Sequence, residues 1–437
     1  MRLSVIGCGY LGAVHAACMA ELGHEVVGID VDAGKVDALN RAAAPFFEPN
    51  LDQTLRKAID SGRLRFSTDF ADASSAQVHF LAVGTPQKPG ENAADLTYVH
   101  AAVEALAPHV APGALVVGKS TVPVGTASVL LQRLQAVQPG ATLAWNPEFL
   151  REGVAVTDTI APDRIVYGLP SGADGEHAKA LLDEVYAVAL AKGTALVVTD
   201  YATAELVKVA ANAFLATKIS FINAMSEVAD TVGADVTQLA DAIGYDGRIG
   251  RRFLNAGVGF GGGCLPKDIR AFRARAEELG VGDSLTFLKE VDAINVRQRE
   301  RVVIRLREAL GGELAGRRIA VLGLAFKPDS DDVRDSPALH VAQALSDAGA
   351  HVRVYDPEAM PNSAKLFPAL EYAASAVVAA DQADAVLHLT EWREFATVDP
   401  GQLAGVVRRR VMIDGRNSLD PARWRDAGWV YRALGRP

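Results

Sequence analysis

The chain has 437 residues, of which 49% are hydrophobic and 22% are charged, and it carries a formal net charge of −9 at pH 7. This composition is typical of an ordinary folded protein and excludes a disordered or fibrous chain. The length predicts two or three domains. The acidic balance excludes a nucleic-acid partner, which would require a broad basic surface.

The three cysteines, Cys8, Cys18 and Cys264, form no CxxC pair. Their odd number and their spacing indicate a reducing compartment and argue against a disulfide framework or a zinc site. We therefore expect a cytoplasmic protein without a metal centre. The uncharged stretch 3–20 is interrupted by glycines, so it does not have the pattern of a signal peptide, and no other stretch predicts a membrane span.

The chain opens with the pattern of a βαβ unit. Apolar runs at 3–6 and 25–29 predict two strands, and residues 11–22 between them predict a helix. Further predicted strands lie at 78–83, 115–119 and 143–145, and they alternate with predicted helices at 98–107 and 126–134. This alternation predicts an α/β fold with a doubly wound parallel sheet.

The turn between the first strand and the first helix has the sequence GCGYLG, at residues 7–12. Its glycines permit a tight turn and let backbone N–H groups approach a pyrophosphate. Asp30 follows the next strand, where a carboxylate binds ribose hydroxyls, and Asp32 adds a second negative charge that would repel the 2′-phosphate of NADP. A glycine-tight turn without a ligand would leave Asp30 unexplained. We therefore predict NAD as the cofactor.

The run NPEFLRE at 146–152 follows a predicted strand and places Glu148 and Glu152 four residues apart. Ligands bind at the carboxyl ends of strands in open α/β sheets, and paired carboxylates suit general acid–base chemistry. The alternative is a solvated helix start in which acidic residues are favoured by the helix dipole. The spacing by itself leaves both interpretations open.

Strand patterns stop near residue 201, and residues 201–232 predict one long connecting helix, followed by a mainly helical stretch to about 310. On the long helix, Glu205, Lys208 and Asn212 share a face. A lysine and an asparagine there could stabilise a developing oxyanion. The alternative is that Lys208 is solvated, as most helical lysines are.

A glycine-rich segment, 257–263, precedes Cys264. Pro266 suits the first turn of a following helix, so Cys264 is predicted at a helix N-terminus, where the dipole and the N–H groups should lower its pKa. Asp268 would lie one turn further along the same face. We predict that Cys264 is a nucleophile and that Cys8 and Cys18 are inert core residues.

The opening pattern returns near residue 317, because 319–324 resembles 3–9 and 344–356 resembles 20–30. This internal repeat predicts a second Rossmann-like domain, whose loop 325–335 carries charges where the first carries glycines. Its ligand should therefore bind differently. The prediction is an α/β protein with two Rossmann-like domains of doubly wound parallel sheet, 1–200 and 311–437, joined by the long helix and a helical middle domain, 201–310.

Taken together, seven segments resemble the UDP-glucose 6-dehydrogenase family of nucleotide-sugar dehydrogenases, and the likeness runs from Met1 to about Leu419. The segments are VIGCGYLG at 5–12, VGTP at 83–86, STVPVGT at 120–126, NPEFLREG at 146–153, ELVKVAANAFLATKISF at 205–221, GFGGGCLPKD at 259–268 and FKPDSDDVRDSP at 326–337. One position departs from the pattern, because many members have serine where this chain has Gly263. We expect only the hydrogen bonding near the thiol to change.

The resemblance implies a four-electron oxidation with two NAD⁺, in which a C6 alcohol becomes an aldehyde, a thiohemiacetal and then a thioester that water hydrolyses. Residue matching implies these roles: Cys264 as nucleophile, Lys208 and Asn212 as oxyanion-stabilising groups, Asp268 as an acid–base residue, Glu148 as the base for thioester hydrolysis, and Thr121 as the residue that positions a water.

The same matching implies the ligand contacts. The NAD contacts would be Gly7, Gly9, Tyr10, Leu11, Gly12, Asp30, Lys35, Thr85, Thr121, Glu152 and Arg334. The UDP-glucose contacts would be Phe149, Leu150, Glu152, Lys208, Asn212, Lys218, Phe253, Phe260, Gly261, Lys327 and Arg416. Lys327 offers a cation to the UDP diphosphate. Arg248 matches an arginine that reaches the substrate of a neighbouring subunit, which implies a homodimer or a higher homo-oligomer.

Four alternative functions can be compared with the residues. GDP-mannose and UDP-N-acetylhexosamine 6-dehydrogenases share parts of the pattern, although RIGRRFL at 248–254 and GGGCLPKD at 261–268 resemble the UDP-glucose branch more. A nucleotide-sugar epimerase or a short-chain reductase would need a Tyr-x-x-x-Lys pair, which the chain does not contain. A non-enzymatic NAD-binding protein would have no need for Cys264, Lys208 and Asp268 together.

Overall fold

A computed structural model describes all residues, Met1–Pro437. The chain forms two compact units: residues 1–211 with 270–280 make the first, and residues 212–269 with 281–437 make the second. Each unit is built on a sheet of its own. None of the helices in the chain is long and apolar enough to cross a membrane.

The sheet of the first unit has eight strands. They are β1 (Arg2–Ile6), β2 (Glu25–Ile29), β3 (Leu64–Ser67), β4 (Val78–Leu81), β5 (Leu115–Gly118), β6 (Thr142–Trp145), β7 (Arg164–Gly168) and β8 (Ala195–Thr199). Their order is β3-β2-β1-β4-β5-β6-β7-β8, so the winding direction reverses between β1 and β4. The carboxyl ends of strands at such a switch point are where open α/β sheets bind ligands.

The predicted parallel sheet is confirmed from β3 to β6, and one antiparallel junction was not predicted. β6 and β7 meet at a single antiparallel pair, Trp145 with Gly168. The start of β7 therefore lies beyond the carboxyl end of β6, and the chain between them needs no crossover to the far end of the sheet. The NPEFLRE segment belongs to this connection and stays at the carboxyl edge.

Helices cover the first sheet. They are α1 (Tyr10–Glu21), α2 (Ala33–Asn40), α3 (Leu51–Asp60), α4 (Thr97–Leu106), α5 (Thr126–Val137), α6 (Ala155–Ile160), α7 (Ala173–Val185) and α8 (Ala187–Ala191), with 3₁₀ turns at Phe70–Ala73 and Ala107–His109. Alternate residues of β1 enter different apolar clusters, since Val5 packs in one and Ile6 in the other. β1 is thus buried on both faces, as is usual for a strand inside a parallel sheet.

Only helices lie between the two sheets along the chain. They are α9 (Tyr201–Val232), α10 (Val236–Gly244), α11 (Leu265–Glu278) and α12 (Phe287–Leu310), with a 3₁₀ turn at Gly282–Leu285. α9 is continuous over 32 residues, as the sequence predicts. Asp235 ends the preceding loop and accepts a 2.7 Å hydrogen bond from the N–H of Thr237, which caps α10.

The second unit contains the predicted second Rossmann-like sheet. Its strands are β9 (Arg318–Leu322), β10 (His351–Tyr355), β11 (Glu371–Tyr372), β12 (Ala385–His388), β13 (Val411–Asp414) and β14 (Val430–Ala433), and its helices are α13 (Pro337–Asp347), α14 (Met360–Leu366), α15 (Ala376–Ala380), α16 (Arg393–Thr397), α17 (Pro400–Ala404) and α18 (Pro421–Asp426). The strand order is β11-β10-β9-β12-β13-β14, and every neighbouring pair is parallel.

The two sheets have an aspartate at the same position, but its surroundings differ. Each second strand ends at an aspartate, Asp30 after β2 and Asp356 after β10. One oxygen of Asp356 accepts the N–H groups of Leu324 at 2.7 Å and Ala325 at 3.0 Å, together with the indole N–H of Trp392 at 3.0 Å. The carboxylate in the second unit is therefore buried and bonded to its own domain.

Candidate active site

The glycine turn after β1 has the geometry of an anion site. Gly7 has φ +88°, in the left-handed region that favours glycine, and a Cβ on Gly12 would meet the carbonyl oxygen of Gly7. At Gly9, in contrast, no atom beyond the residue itself and its two chain neighbours lies within 4 Å of the place where a Cβ would stand. α1 begins at Tyr10 with no side-chain cap and no acidic residue in its first turn. Its first N–H groups and its dipole therefore favour a phosphate group.

Asp30 lies beside this turn, as the sequence predicts. Its carboxylate is buried and accepts hydrogen bonds from the N–H of Cys8 at 2.8 Å and from the N–H of Asp32 at 3.0 Å. The Lys35 ammonium forms an ion pair with it at 2.9 Å. The predicted residues Gly7, Asp30 and Lys35 are thus brought together at the carboxyl edge of β1 and β2, and the Lys35 cation offsets part of the negative charge there.

The Tyr10 side chain is held by a residue that the sequence analysis did not single out. Its hydroxyl donates a hydrogen bond to Glu48, and its ring packs on Phe46 with 4.8 Å between centroids. Burial and the bond to Glu48 raise the pKa of Tyr10 well above its usual value, so the hydroxyl stays protonated. Glu48 also accepts the N–H of Gly153 at 2.6 Å and that of Ala155 at 2.7 Å, which ties this region to the NPEFLREG segment.

Two neighbouring loops at the same edge are joined by threonine and serine side chains. Thr85, after β4, donates a 2.7 Å hydrogen bond to the carbonyl oxygen of Thr121, after β5. Ser120 donates a 2.7 Å hydrogen bond to the carbonyl oxygen of Val83. The backbone positions of Thr85 and Thr121, two predicted cofactor contacts, are therefore fixed relative to each other.

Glu148 follows β6, and its carboxylate is held on both oxygens. Oε1 accepts the N–H groups of Phe149 at 2.7 Å and Leu150 at 2.9 Å, and Oε2 pairs with the Lys119 ammonium at 3.1 Å. Burial by itself would raise the pKa of Glu148, but the charge and hydrogen bond of Lys119 and the two backbone N–H groups outweigh burial and lower it. Glu148 is therefore an ionised carboxylate, and the alternative of a solvated helix start is wrong for this residue.

Two cationic side chains of the first unit lie against the Phe149 ring. The Arg164 guanidinium lies 3.8 Å from the ring centroid, and the Lys208 ammonium lies 5.3 Å from it. Both distances are within the range of cation–π attraction. The structure thus brings Lys208 of α9 to the NPEFLRE segment, while Glu152 and Leu150 in that segment are half-buried.

Cys264 is exposed and immediately precedes α11, so the predicted position at a helix N-terminus is confirmed. Its carbonyl oxygen accepts the N–H of Asp268 at 2.8 Å, which places Asp268 one turn into the helix. The buried Asp268 carboxylate accepts a 2.6 Å hydrogen bond from the amide of Asn212 and pairs with the Lys267 ammonium at 2.6 Å. Two residues with predicted catalytic roles, Asn212 and Asp268, are therefore in direct contact.

The backbone of the glycine-rich segment before Cys264 is fixed by Asn295 of α12, which the sequence analysis missed. Its side-chain oxygen accepts the N–H of Phe260 at 2.7 Å, and its amide donates to the carbonyl oxygen of Phe260 at 2.9 Å. Phe260 itself is buried. The Arg416 guanidinium donates to the carbonyl oxygens of Gly259 at 3.1 Å and Phe326 at 2.9 Å. Of the predicted substrate contacts, Phe260 is thus held by its backbone, and Arg416 is one of the residues that hold the segment in place.

Gly263 departs from the family pattern, and its space is occupied. A Cβ at this position would overlap the Arg334 guanidinium, which is exposed and paired with Asp332 at 2.9 Å. A serine here would require the end of the exposed Arg334 side chain to move, which is a small rearrangement, so the expectation that only the hydrogen bonding changes stays a prediction. Gly261, two residues earlier, packs against the carbonyl oxygen of Asp335, so a side chain at this position has no room.

The remaining predicted substrate contacts all lie in the second unit. The Lys218 ammonium donates to the carbonyl oxygens of Ile249 at 2.9 Å and Gly250 at 3.0 Å. Phe253 has φ +66°, and Lys327 lies 5.5 Å from the centroid of the Phe326 ring. Arg248 is exposed and pairs with Asp246.

Three models of the UDP-glucose/GDP-mannose dehydrogenase family match the chain in succession: its NAD binding domain at residues 1–190, its central domain at 202–297 and its UDP binding domain at 320–421. The chain belongs to this family. The UDP-glucose/GDP-mannose dehydrogenases are NAD-dependent oxidoreductases, so the glycine turn and Asp30 are part of an NAD binding domain.

Individual relatives are similar over their whole length. The chain is 43% identical over 440 residues to the UDP-glucose 6-dehydrogenase of Rhizobium meliloti (strain 1021), with 100% of both chains covered. It is 41% identical over 442 residues to the UDP-glucose 6-dehydrogenase TuaD of Bacillus subtilis (strain 168), covering 100% of this chain and 93% of that one. The solved UDP-glucose dehydrogenase of Pyrobaculum islandicum superposes with a TM-score of 0.90 at 38% identity, covering 100% of this chain and 98% of that one.

Two glycine substitutions are expected to distinguish an effect on stability from an effect on NAD⁺ binding in this family member. Gly12→Ala is expected to lower the free energy of unfolding by about 1–3 kcal/mol, because its Cβ meets the Gly7 carbonyl. Gly9→Ala is expected to leave thermal unfolding unchanged, since Gly9 has φ −70° and open space around it. Its methyl group should nevertheless raise the Kd for NAD⁺ at least about tenfold. Calorimetric titration with NAD⁺ and thermal unfolding measure both effects, and wild-type affinity in Gly9→Ala would contradict pyrophosphate binding at α1.

Proposed function

We propose that the chain is a UDP-glucose 6-dehydrogenase, which oxidises the C6 alcohol of UDP-glucose to the carboxylate of UDP-glucuronate. The observation that carries the proposal is the arrangement at α11: an exposed Cys264 at the helix N-terminus, with Asp268 one turn away in contact with Asn212. In an NAD-dependent alcohol oxidation, a nucleophilic thiol can capture the aldehyde so that it is oxidised a second time. The names of the relatives at about 40% identity over the full chain support this substrate.

In the proposed reaction, the C6 alcohol is first oxidised to an aldehyde. The Cys264 sulfur then adds to the aldehyde carbon and gives a thiohemiacetal, and loss of a second hydride gives a thioester. Water adds to the thioester carbon, the carbon–sulfur bond breaks, and the carboxylate is released. Each of the two oxidations transfers one hydride to a bound NAD⁺, so one UDP-glucose yields two NADH.

The chain supplies proton transfer and charge stabilisation for these steps. Asp268 is proposed to take the proton of the C6 hydroxyl, and the Asn212 amide that contacts Asp268 and the Lys208 ammonium are proposed to stabilise negative charge on the C6 oxygen. Thr121 is proposed to position a water. The ionised Glu148 carboxylate is proposed to accept a proton from the water that hydrolyses the thioester. The predicted NAD and UDP-glucose contacts remain proposals of the same kind.

The experiment that tests this function is the stoichiometry of the purified protein. UDP-glucose and GDP-mannose are offered separately with excess NAD⁺, and NADH absorbance is compared with the sugar consumed. We expect two NADH per UDP-glucose and turnover of UDP-glucose in preference to GDP-mannose. One NADH per sugar would contradict the four-electron reaction, and a preference for GDP-mannose would contradict the substrate.

We also propose a homodimer or a higher homo-oligomer that forms through α9. The part of α9 in the second unit exposes four large apolar side chains, and three of them are evenly spaced: Phe214 at 66%, Phe221 at 48% and Val228 at 54% of their surface. They are spaced at intervals of seven residues and therefore share one face of the helix. Aligned exposed apolar side chains indicate a protein interface, and a second copy of the same helix has the matching face.

A cytoplasmic location is proposed because Cys264 must remain a reduced thiol.

Placing a charge on this face should separate the subunits. Phe221→Glu is expected to give a species of one chain mass, 46.1 kDa, in sedimentation velocity, whereas the wild type should sediment with at least twice that mass. Val378→Glu is the matched control, because Val378 is equally an exposed apolar residue at 48% but lies on α15. A wild-type protein that sediments as a monomer, or a Phe221→Glu variant that keeps its oligomeric mass, would contradict the proposed interface.

A further inference from the structure

Lys119 is an ammonium group enclosed in the first unit, at the residue that follows β5. Its side chain is 4% exposed. Its Nζ donates hydrogen bonds to the side-chain oxygen of Asn146 at 2.9 Å and to the hydroxyl of Tyr186 at 3.2 Å, and it pairs with Glu148 at 3.1 Å. A lysine is almost never enclosed in this way unless it is paired, because removing the charge from water is costly. All three of its N–H groups have partners.

We propose that Lys119 is a positioning residue for thioester hydrolysis, which holds Glu148 ionised and in one orientation beside the reacting water. This inference rests on the proposed function, because it assigns a role within the hydrolytic step. Neither the sequence patterns nor the matched family roles included Lys119.

The geometry supports the orientation. Lys119 occupies one oxygen of the Glu148 carboxylate, and the N–H groups of Phe149 and Leu150 occupy the other. An ionised carboxylate has about four acceptor positions, so these three partners leave about one for a water. The Glu148 side chain is 18% exposed, so part of it can contact water. Tyr186 in turn donates a 2.6 Å hydrogen bond to Asn146, which braces the Lys119 site from a third element.

The interactions around the Lys119–Glu148 pair keep both side chains charged. Burial opposes the charged form of Lys119, but attraction to Glu148 and the hydrogen bond to Tyr186 raise its pKa overall. Three titratable groups that interact with the pair, His15, Tyr186 and Cys18, are neutral. Burial and the Lys119 charge lower the pKa of His15, burial raises that of Tyr186, and burial followed by the Glu148 charge raises that of Cys18 to about 12. The charge and hydrogen bond of Lys119 are the largest of the effects that lower the pKa of Glu148.

Hydrolysis requires that ionised form. The water oxygen bonds to the thioester carbon while one water proton moves to the Glu148 carboxylate. The carbon–sulfur bond then breaks, Cys264 leaves as a thiolate, and the product leaves as a carboxylate after losing its remaining proton to solvent. No oxidant is consumed. A carboxylate of lowered pKa is a weaker base, but it is in the correct protonation state throughout the neutral range.

The test is the variant Lys119→Met, which removes the ammonium and keeps the length of the side chain. Without the cation, burial raises the pKa of Glu148, so a larger fraction of the Glu148 carboxyl groups is protonated at neutral pH. As the pH rises, these groups ionise and can again act as the base. We expect a burst of two NADH per Cys264, followed by hydrolysis slowed about 10²-fold at pH 7. The covalent sugar adduct on Cys264 should be visible by mass spectrometry. The acid limb of the hydrolysis rate should move to higher pH.

Two further variants keep the inference falsifiable. Lys179→Met makes the same substitution at an ion pair on α7, with Asp183, and should leave the acid limb unchanged. If Lys119→Met does not fold, Lys119→Met with Glu148→Gln replaces the charged pair by neutral groups, and this double variant should hydrolyse the thioester at the rate of Glu148→Gln alone. Additional slowing in the double variant would overturn the inference.

The outcomes separate this inference from the proposed function. A wild-type protein that forms no NADH from UDP-glucose would contradict the function itself. A wild type that forms two NADH, with a Lys119→Met variant that keeps the wild-type acid limb or loses both oxidations equally without an adduct, would contradict only the role of Lys119.

Discussion

Replacement of Cys264 by alanine is expected to abolish UDP-glucuronate formation, with a fall in turnover of about 10³-fold or more. The thiol has no substitute in the proposed reaction, because the thioester is the only intermediate that joins the second oxidation to hydrolysis. Cys264 is exposed, so its removal opens no cavity in the core and the thermal unfolding midpoint should not change. The measurement is NADH and carboxylate formed under saturating UDP-glucose and NAD⁺.

The other two cysteines provide the control for this prediction. Burial raises the pKa of Cys8 and of Cys18, and both thiols are enclosed in the core. Iodoacetamide is therefore expected to alkylate Cys264 alone in the native protein and to inactivate the enzyme as the modification proceeds. If Cys264→Ala retained turnover, or if full alkylation of Cys264 left activity intact, the covalent mechanism would be wrong.

Replacement of Asp268 by asparagine is expected to lower the rate of the first oxidation by about 10²–10⁴-fold, the usual contribution of a general base. Asparagine keeps the shape of the side chain, so the contact with Asn212 is retained through its oxygen. It removes the negative charge, however, and turns an amide group toward the Lys267 ammonium, which already lies 2.6 Å from the carboxylate. The measurement is NADH formed in a single turnover with UDP-glucose.

A carboxylate elsewhere in the second unit controls for the loss of charge. Asp241→Asn removes a surface acid that pairs with Arg251 and should leave the first oxidation unchanged. Thermal unfolding of Asp268→Asn is measured in parallel, so that a folding defect is separated from a chemical one. A first oxidation within about threefold of the wild type in a folded Asp268→Asn would assign the base role to another group.

Strong local patterns allowed the fold to be predicted in detail. The bounds of β2 and α9 agree with the sequence prediction at both ends, because one is a continuous apolar run and the other has long helical spacing without proline. Three strands of the first sheet were not predicted. β3 is an edge strand in which two of the four residues are buried, β8 is a largely exposed edge strand, and the antiparallel contact of β7 depends on one residue pair. Such features follow from tertiary packing, which periodicity does not encode.

The candidate site was predictable where its parts are close in sequence. Cys264 and Asp268 are one helical turn apart, and a proline at the start of a helix is a local signal. Lys119, Glu48 and Asn295 were missed because a polar residue next to a strand or on a helix normally indicates a solvated side chain. Their partners lie 27 to 107 positions away along the chain, so only the folded structure shows that they are buried and bonded.

The enclosed Asp356 limits how the second Rossmann-like domain could be redesigned. Restoring glycines to its turn would not by itself create a dinucleotide site, because no carboxylate would be left to receive a ribose. The oxygen of Asp356 that faces the turn already accepts three hydrogen bonds, from Leu324, Ala325 and Trp392. An engineer who needs a second cofactor pocket would have to replace Trp392 as well, and would thereby remove a brace of the domain core.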